Sequence, residues 1–218
     1  MYPDASFPLV RRRQNRTFEK ATTMKIATWN VNSLSVRLPQ LLDWLQAQSP
    51  AVLALQETKL TDDRFPHAEL LDAGYHSVCL GQPTYNGVAL LSRHEAAEVQ
   101  RGIPGFEDAQ ARVIAATFGD LRVIGAYFPN GQAPDSDKFA YKMRWLDALQ
   151  AWVAAQLQRH AKVALMGDFN IAPEDRDVFD PVAWAGQIHC TPEERGHFKA
   201  LLGLGLIDAF RAFDQPPK

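Results

Sequence analysis

The stretch Val-Ala-Leu-Met-Gly-Asp-Phe-Asn at residues 163–170 decides the fold, because a short apolar run leads directly into polar side chains. Short apolar runs of this kind predict buried strands. Carboxylates and amides do not belong inside such strands, since burying them without partners costs several kcal/mol. Three further stretches repeat the pattern, with polar residues at the exit of the run: Lys25–Asn32, Ala51–Lys59 and Val123–Gly131. With several such strands side by side, these polar residues would gather at one edge of a sheet.

The polar side chains in these stretches are of the kind that holds a hard divalent cation. Glu57 and Asp168 supply carboxylates, and Asn30 and Asn170 supply amide oxygens, which are the ligands that such cations prefer. Each residue also has an ordinary interpretation: Glu57 could pair with Lys59 on the surface, and Asn and Asp readily bond their own backbone in turns. The recurrence of the pattern at successive strand ends favours an active site over a series of unrelated turns.

The composition fits a single domain with a substantial core. The chain has 218 residues, of which 46% are hydrophobic and 22% charged, so overall disorder is not expected. Its net charge of −2 gives no overall basic field for a nucleic acid, although a local basic groove is compatible with it. No apolar stretch approaches the roughly 18 residues of a membrane span. Cys79 and Cys190 have no CxxC spacing, which favours reduced thiols and a cytoplasmic protein.

Residues 1–23 differ from the rest of the sequence. They contain Arg11, Arg12, Arg13 and Arg16 but no periodic apolar pattern, and the first clear strand begins only after Met24. A flexible basic tail and a DNA-contacting arm are both compatible with this composition. The interpretation we prefer is a disordered extension upstream of a natural start at Met24, followed by one domain over residues 24–218.

The remaining pattern predicts a sheet-based α/β or α+β fold. A helix through Leu38 and Leu45 that ends near Pro50 joins the first two strands into a strand–helix–strand unit, which predicts a parallel pair. Further strands are predicted at Tyr75–Leu80, Gly87–Ser92, Arg112–Phe118, Leu121–Phe128 and Val163–Gly167, and helices at Ser136–Arg159 and Glu193–Leu202. Gly119-Asp120 predicts a hairpin between two of these strands, and Pro173–Pro192 is expected to be a loop.

The motifs, taken in order, resemble those of a known family. They are Met24–Asn30, Leu55–Lys59, Asn86–Ser92, Ala126–Gly131, Gly167–Pro173 and Leu206–Arg211. This set resembles the exonuclease III family of bacterial apurinic/apyrimidinic endonucleases, within the endonuclease/exonuclease/phosphatase superfamily. The resemblance extends over essentially all of residues 24–211.

The resemblance implies a fold, an activity and a cofactor. The family fold is a four-layer α/β sandwich, in which two mixed sheets lie face to face and helices cover the outside. Its members cut the DNA backbone 5′ to abasic sites and trim 3′ ends, using Mg²⁺ or Mn²⁺. The implied partner is double-stranded DNA with abasic sites or blocked 3′ ends, and the implied state is a monomer. An abasic nucleotide has no base to unstack, so extruding it costs less than extruding an intact one.

The resemblance also implies roles for particular residues. Glu57 would be the principal metal ligand, assisted by Asn30, with Asp168 and Asn170 completing the metal site. Asp168 would also orient and deprotonate the attacking water, and Asn170 would hold Asp168 and the phosphate in register. Tyr127, which could otherwise be an ordinary core aromatic, would stabilise charge on the phosphate. The implied phosphate contacts are Lys59, Arg112 and Asn130.

The sequence departs from the family pattern at its end. The family has a Trp-rich stretch followed by an Arg-Ile-Asp-His motif on a closing strand, whose His contacts the phosphate and whose Asp supports the catalytic groups. This sequence ends at Lys218 without either motif. We therefore expect the closing C-terminal strands to be missing, and the 218-residue chain to show little activity by itself.

Two alternatives remain open from the sequence. The metal-binding Glu and the Asp-x-Asn motif also occur in phosphatases and phosphodiesterases of the same superfamily that act on other substrates. A non-catalytic DNA-binding remnant is the second alternative. The opening at Met24–Asn30 and the Tyr127–Gly131 motif favour the repair branch, and intact Glu57, Asp168 and Asn170 favour an enzyme.

Overall fold

The N-terminal half of the described chain forms one sheet with two helices. The protein is seen in a computed structural model that describes residues 24–214, so the extension proposed over residues 1–23 lies outside the described residues. The elements are β1 (Ile26–Asn30), α1 (Leu34–Gln48), β2 (Val52–Gln56), α2 (His67–Asp72), β3 (His76–Leu80) and β4 (Val88–Ser92). The strand order is β1-β2-β4-β3, with β1 parallel to β2 and β4 antiparallel to both its neighbours. The predicted parallel strand–helix–strand unit is confirmed.

The C-terminal half repeats this organisation with a second sheet. Its elements are β5 (Ala97–Arg101), β6 (Val113–Phe118), β7 (Leu121–Tyr127), α3 (Asp137–Arg159), β8 (Lys162–Asp168), α4 (Pro181–Trp184) and α5 (Pro192–Gly203). The strand order is β5-β6-β7-β8, with β7 parallel to β8 and the other pairs antiparallel. The predicted hairpin at Gly119-Asp120 joins β6 to β7 and is confirmed; Gly119 takes the turn's positive φ of 63°.

Three apolar layers hold the sheets and helices together. The layer between the sheets contains Val52, Ala54, Val88 and Leu90 from the first sheet and Ile114, Ala116, Val123 and Met166 from the second. On the outer face of the first sheet α1 and α2 bury Leu41, Leu45 and Leu70. On the outer face of the second, α3 and α5 bury Trp145, Leu149 and Leu201. The arrangement is a four-layer α/β sandwich of two mixed sheets, as the resemblance implied.

Two elements of the fold were not predicted. Strand β5 reads Ala-Glu-Val-Gln-Arg and lies at the edge of its sheet, so it carries few apolar side chains. Helix α2 has only six residues and one buried side chain, Leu70, which is too little for a periodic pattern. The expected loop over Pro173–Pro192 also contains the short α4. Within residues 24–214, none of the helices has the length and apolar character needed to cross a membrane.

The topology brings four strand ends to one place. β1 and β2 run parallel, and so do β7 and β8, so each pair presents its carboxyl ends at one edge. Asn30 is the register partner of Gln56, and Tyr127 that of Asp168. Across the sandwich β1 lies against β8. The polar residues that follow these strands therefore meet where the two sheets adjoin.

Candidate active site

Asn30, the last residue of β1, joins the two sheets at this edge. Its Nδ2 donates to Glu57 Oε1 at 2.8 Å and to Asp168 Oδ2 at 2.9 Å. Its Oδ1 accepts from the backbone N–H of Asn32 at 3.0 Å, which fixes the amide's orientation. Because two carboxylates facing one small space repel each other, an N–H group between them is stabilising. One amide thus holds a carboxylate from each sheet at a common point.

Glu57 follows β2 in a left-handed backbone conformation, with a φ of 53°. Its Oε2 lies 3.1 Å from Lys59 Nζ. Burial by itself would raise the pKa of Glu57, but the polar contacts from Asn30, Lys59 and the neighbouring Tyr127 outweigh it and hold the pKa below its usual value. Glu57 is therefore an anion at neutral pH, as a metal ligand must be.

Asp168 ends β8, and both its oxygens are held by neighbours. Oδ2 accepts from Asn30, while Oδ1 accepts from the backbone N–H of Asn170 at 3.1 Å. Asn170 has a φ of 47°, and its Nδ2 donates to Phe128 O at 3.0 Å. The Asp-x-Asn spacing thus forms a turn in which the asparagine orients the aspartate and ties it to the end of β7.

Gly167 allows this turn to leave the sheet. Its φ is +152°, and a Cβ at this position would lie 1.8 Å from the carbonyl oxygen of Ala126 on β7. No other residue fits so close to the neighbouring strand. The glycine before Asp168 is therefore required by the backbone, and it sets the direction in which the carboxylate leaves β8.

Tyr127 ends β7 beside the two carboxylates and keeps its proton. Burial, together with the nearby Glu57, raises the pKa of its hydroxyl to about 12. The Arg112 guanidinium lies 4.9 Å from the ring centroid and donates to Tyr127 O at 3.2 Å. Arg112 is held in turn by Gln110 Oε1, at 2.7 Å from Nη2. At neutral pH the tyrosine is a fixed hydrogen-bond donor.

The three residues expected to contact phosphate lie around this centre, each with a partner. Arg112 stacks on Tyr127, and Lys59 Nζ bonds Asn32 Oδ1 as well as Glu57. Asn130 is exposed, and its Nδ2 lies 3.0 Å from Nε2 of His189. The structure therefore brings all three to the site, while their contacts with phosphate stay a prediction.

A cleft of about 640 Å³ opens at the carboxyl ends of β1 and β8. Its walls include Asn30, Asp168 and Asn170, together with Trp184 and His189 from the segment between β8 and α5. The carboxylate that would activate water therefore faces a space large enough for a phosphate and its flanking sugars. Trp184 adds an apolar surface on which a sugar or a base can rest.

Two features of the site were missed by the sequence analysis. His189 is half-buried, and burial lowers its pKa, with the Lys142 charge acting in the same direction. From the sequence His189 was considered only as part of a zinc site with Cys190 and His197, which the spacing disfavours; no pattern placed it beside Asn130. Lys142 is fully buried behind the site. It could have been noticed as a charged residue on the apolar stripe of α3, three residues after Phe139 and four before Leu146.

The oxygens at this point suit a hard divalent cation. Glu57 and Asp168 converge on the Asn30 Nδ2, and Asn170 carries a further amide oxygen. The Asn30 oxygen itself accepts from the Asn32 N–H in this orientation. Among residues 24–214, His, Cys, Asp and Glu form no group of three or more that could hold a metal. A cation here would therefore depend on two carboxylates supplemented by amide oxygens or water, which is a common arrangement for Mg²⁺.

Comparison with known proteins agrees with the geometry. Residues 27–216 match the Endonuclease/Exonuclease/phosphatase family. The chain is 36% identical over 200 residues to exodeoxyribonuclease III of Haemophilus influenzae, covering 86% of this chain and 75% of that protein.

Solved structures give the same result. A 3′ phosphatase from Neisseria, NExo, bound to a product DNA hairpin, is 51% identical, with a TM-score of 0.86 over 87% of this chain and 74% of that one. An AP endonuclease from Archaeoglobus fulgidus is 35% identical, with a TM-score of 0.83 and the same coverage. The chain thus spans about three quarters of the length of these relatives.

Proposed function

The chain belongs to the endonuclease/exonuclease/phosphatase family, and we propose that it cleaves phosphate esters of DNA at abasic sites and blocked 3′ ends. Its similarity to exodeoxyribonuclease III and to a 3′ phosphatase identifies it as a DNA-repair phosphodiesterase. The observation that supports the catalytic assignment is the Asn30 amide, which holds Glu57 and Asp168 together from two sheets. Carboxylates so placed combine a metal ligand with a general base.

Asp168 is the proposed general base. Each of its oxygens accepts one hydrogen bond, from Asn30 and from the Asn170 backbone, so the carboxylate is fixed and still has lone pairs facing the cleft. It would accept the proton of a water molecule as the water oxygen bonds to phosphorus. The bond from phosphorus to the leaving 3′ oxygen breaks, and the new phosphate carries the water's oxygen.

Charge that builds up on the phosphate needs donors placed in advance. Tyr127 retains its proton at neutral pH, and Arg112 holds its ring in place, so its hydroxyl is a suitable donor. Asn170 and Asn130 would add amide contacts. A divalent cation, Mg²⁺ or Mn²⁺, would be held by Glu57 and Asp168 with the Asn170 amide oxygen, and by Asn30 only if its amide turned its oxygen toward the ion. The cation would polarise the phosphate and stabilise the leaving oxygen.

The substrate is proposed to be double-stranded DNA bound by one copy of the chain. Lys59 and Arg112 place positive charge beside the carboxylates in a protein whose net charge is −2. These two cations are the proposed contacts for the DNA phosphates beside the carboxylates, in a protein without a net positive charge. Contacts of this kind position the backbone of the duplex without reading its sequence.

The test compares Asp168→Asn with Asp147→Asn in otherwise identical preparations of the protein. Asp147 lies on the outside of α3 with its side chain 75% exposed, so it controls for loss of one carboxylate. With Mg²⁺ and a duplex containing one abasic site or one 3′-phosphate, Asp168→Asn should lower kcat by roughly 10²–10⁴-fold. The control should stay within about twofold of the wild type.

Three results would overturn the proposal. Cleavage by Asp168→Asn within about tenfold of the wild type would remove the general-base role. Turnover of a phosphoinositide in preference to both DNA duplexes would place the substrate in another branch of the superfamily. Tight DNA binding without Mg²⁺-dependent cleavage by the wild type would instead favour a non-catalytic DNA-binding protein.

A further inference from the structure

Lys142 and Glu194 form an ion pair that is buried completely. Lys142 lies on α3 and Glu194 on α5, their side chains are both 0% exposed, and Nζ lies 2.5 Å from Oε1. Removing two charges from water costs several kcal/mol for each ion, and apolar residues of similar size are often as stabilising or more so. Stability of the helix packing alone therefore gives little reason for a charged pair here.

The hydrogen bonds of the pair lead toward the active site. Lys142 Nζ donates to Asn170 O at 2.6 Å and to Asn130 O at 3.3 Å, so two of its three bonds go to site loops. Glu194 Oε2 accepts from Thr191 Oγ1 at 2.8 Å and so is fixed by the capping box of α5. All three donors of the ammonium group are thereby used.

The backbone around Lys142 is shaped to receive it. Gly131 has a φ of +92°, and a Cβ there would lie 3.1 Å from Lys142 Cδ, so the glycine leaves room for the lysine stem. Asn170 has a left-handed φ of 47°, which is costly unless neighbouring contacts hold it. The bond from Lys142 to Asn170 O supplies such a contact. In this conformation the Asn170 N–H donates to Asp168 Oδ1.

We infer that Lys142, held by Glu194, is a positioning residue that fixes the Asn130 and Asn170 loops relative to each other and so aims Asp168. The inference rests on the proposed function, because the aim of Asp168 matters only if that carboxylate activates water. The ammonium group touches no reacting atom and acts through the two carbonyls it binds. Its loss should therefore lower the rate of the chemical step rather than the affinity for DNA.

The chain offers a matched control on the same helix. Arg122 Nε donates to Gln156 Oε1 at 2.9 Å, and both residues are 4% exposed. Arg122 lies at the start of β7, at the opposite end of the strand from Tyr127. Gln156→Leu breaks a buried polar contact between α3 and the second sheet without touching the site. It reports what a purely structural loss does to activity.

The experiment compares the double variant Lys142→Met/Glu194→Gln with Gln156→Leu. Gln at position 194 retains an acceptor for Thr191, so the cap of α5 survives while the charges disappear. We expect the double variant to lose about 30-fold or more in kcat on the abasic-site duplex, with KM within about threefold. Lys142→Arg keeps the positive charge and N–H donors, in a larger planar group, and should recover part of kcat relative to the double variant. Gln156→Leu should retain kcat within about twofold, even with a similar fall in Tm.

A second measurement does not depend on catalysis. The backbone N–H of Asn170 donates to Asp168 Oδ1. Its hydrogen exchange should become at least about tenfold faster in the double variant and stay unchanged in Gln156→Leu. If the double variant does not fold, Lys142→Gln is used instead; it removes the charge and keeps one donor nitrogen, with two N–H groups, on a shorter side chain. Absence of turnover by the wild type would overturn the proposed function. The hydrogen exchange of the Asn170 N–H would still test whether Lys142 holds the Asn170 loop.

The inference is overturned if the double variant and Gln156→Leu behave alike. If the double variant loses kcat no more than Gln156→Leu does, or if its Asn170 amide remains protected, the buried pair serves only to pack α3 against α5.

Discussion

At the level of single residues, the site depends on the side chain of Asn30. The sequence predicted Asn30 as a ligand through its amide oxygen, whereas the structure turns its nitrogen toward Glu57 and Asp168. Residue type and position could be predicted, because amides and carboxylates recur at the ends of successive apolar runs. The orientation could not, since it is set by the backbone N–H of Asn32, which only the folded turn brings to Oδ1.

The pairing of Lys142 is a second feature that could not be predicted from the sequence. A lysine on an apolar stripe suggests a partner, but nothing in the sequence connects it to Glu194, 52 residues further on. The pairing depends on how α5 packs against α3, and that is a property of tertiary structure. Asp168 and Asn170 were easier to find because they lie two residues apart directly after an apolar run, and one of their contacts is local, from the Asn170 N–H to Asp168.

The pKa of Tyr127 leads to a prediction for the pH dependence of the rate. The pKa is raised to about 12, so the hydroxyl keeps its proton as pH rises through the neutral and mildly alkaline range. The pKa of Glu57 is lowered, so its carboxylate stays ionised as pH falls toward its ordinary value. Neither group should limit kcat between about pH 6 and about pH 10.

Tyr127→Phe tests this prediction. The variant should reduce kcat by roughly tenfold or more at every pH in the range, because a preorganised donor to the phosphate is lost. Its pH profile should run parallel to that of the wild type. An alkaline fall in wild-type kcat near about pH 8 that disappears in Tyr127→Phe would show that the hydroxyl ionises far below the expected value.

At the level of elements, the strands that carry the motifs were predicted within about two residues, which is the usual uncertainty of strand ends. All five residues of β2 and of β4 are buried, so these strands appear as continuous apolar runs. β1 and β8 are only partly buried, and their apolar runs are visible because polar motifs follow them directly. Strand β5 was not predicted because its sequence is mostly polar and none of its side chains is fully buried. β1 and β8 also lie at sheet edges, but their apolar runs made them predictable.

Gly167 gives a prediction for the pairing of β7 and β8. Gly167→Ala would place a Cβ 1.8 Å from Ala126 O, so the strands must separate where Asp168 begins. We expect a loss of about 2–4 kcal/mol in the free energy of unfolding, measured by urea denaturation, and cleavage near background. Gly203→Ala is the control, because its Cβ would meet nothing within 4 Å. This control should change stability by less than about 1 kcal/mol.

At the level of the whole molecule, charge is distributed unevenly around a net value of −2. Lys59 lies at the carboxyl end of the first sheet beside Glu57, whereas Lys162 begins β8 at the opposite end and pairs with Asp120. If DNA lies along the cleft, Lys59 should contribute to DNA binding and Lys162 should not. Removing one phosphate contact reduces the slope of log K against log salt concentration by about one in magnitude.

Lys59→Ala and Lys162→Ala provide this comparison. DNA affinity is measured with Ca²⁺ in place of Mg²⁺, to slow cleavage, at salt concentrations from about 50 to 200 mM. We expect a smaller salt dependence for Lys59→Ala and no change for Lys162→Ala. Equal effects of the two variants would show that DNA does not follow the cleft.

The central claim is that carboxylates from two sheets act as one catalytic unit. A double-mutant cycle with Glu57→Gln and Asp168→Asn tests it most directly, with Glu69→Gln on the exposed face of α2 as the control. The measured quantity is kcat/KM for Mg²⁺-dependent cleavage of the abasic-site duplex. Each single variant should lose about a hundredfold or more in kcat/KM. The kcat/KM of the double variant should be no more than about tenfold below that of the less active single variant. Losses that simply multiply would contradict the account, because they would show that Glu57 and Asp168 act independently.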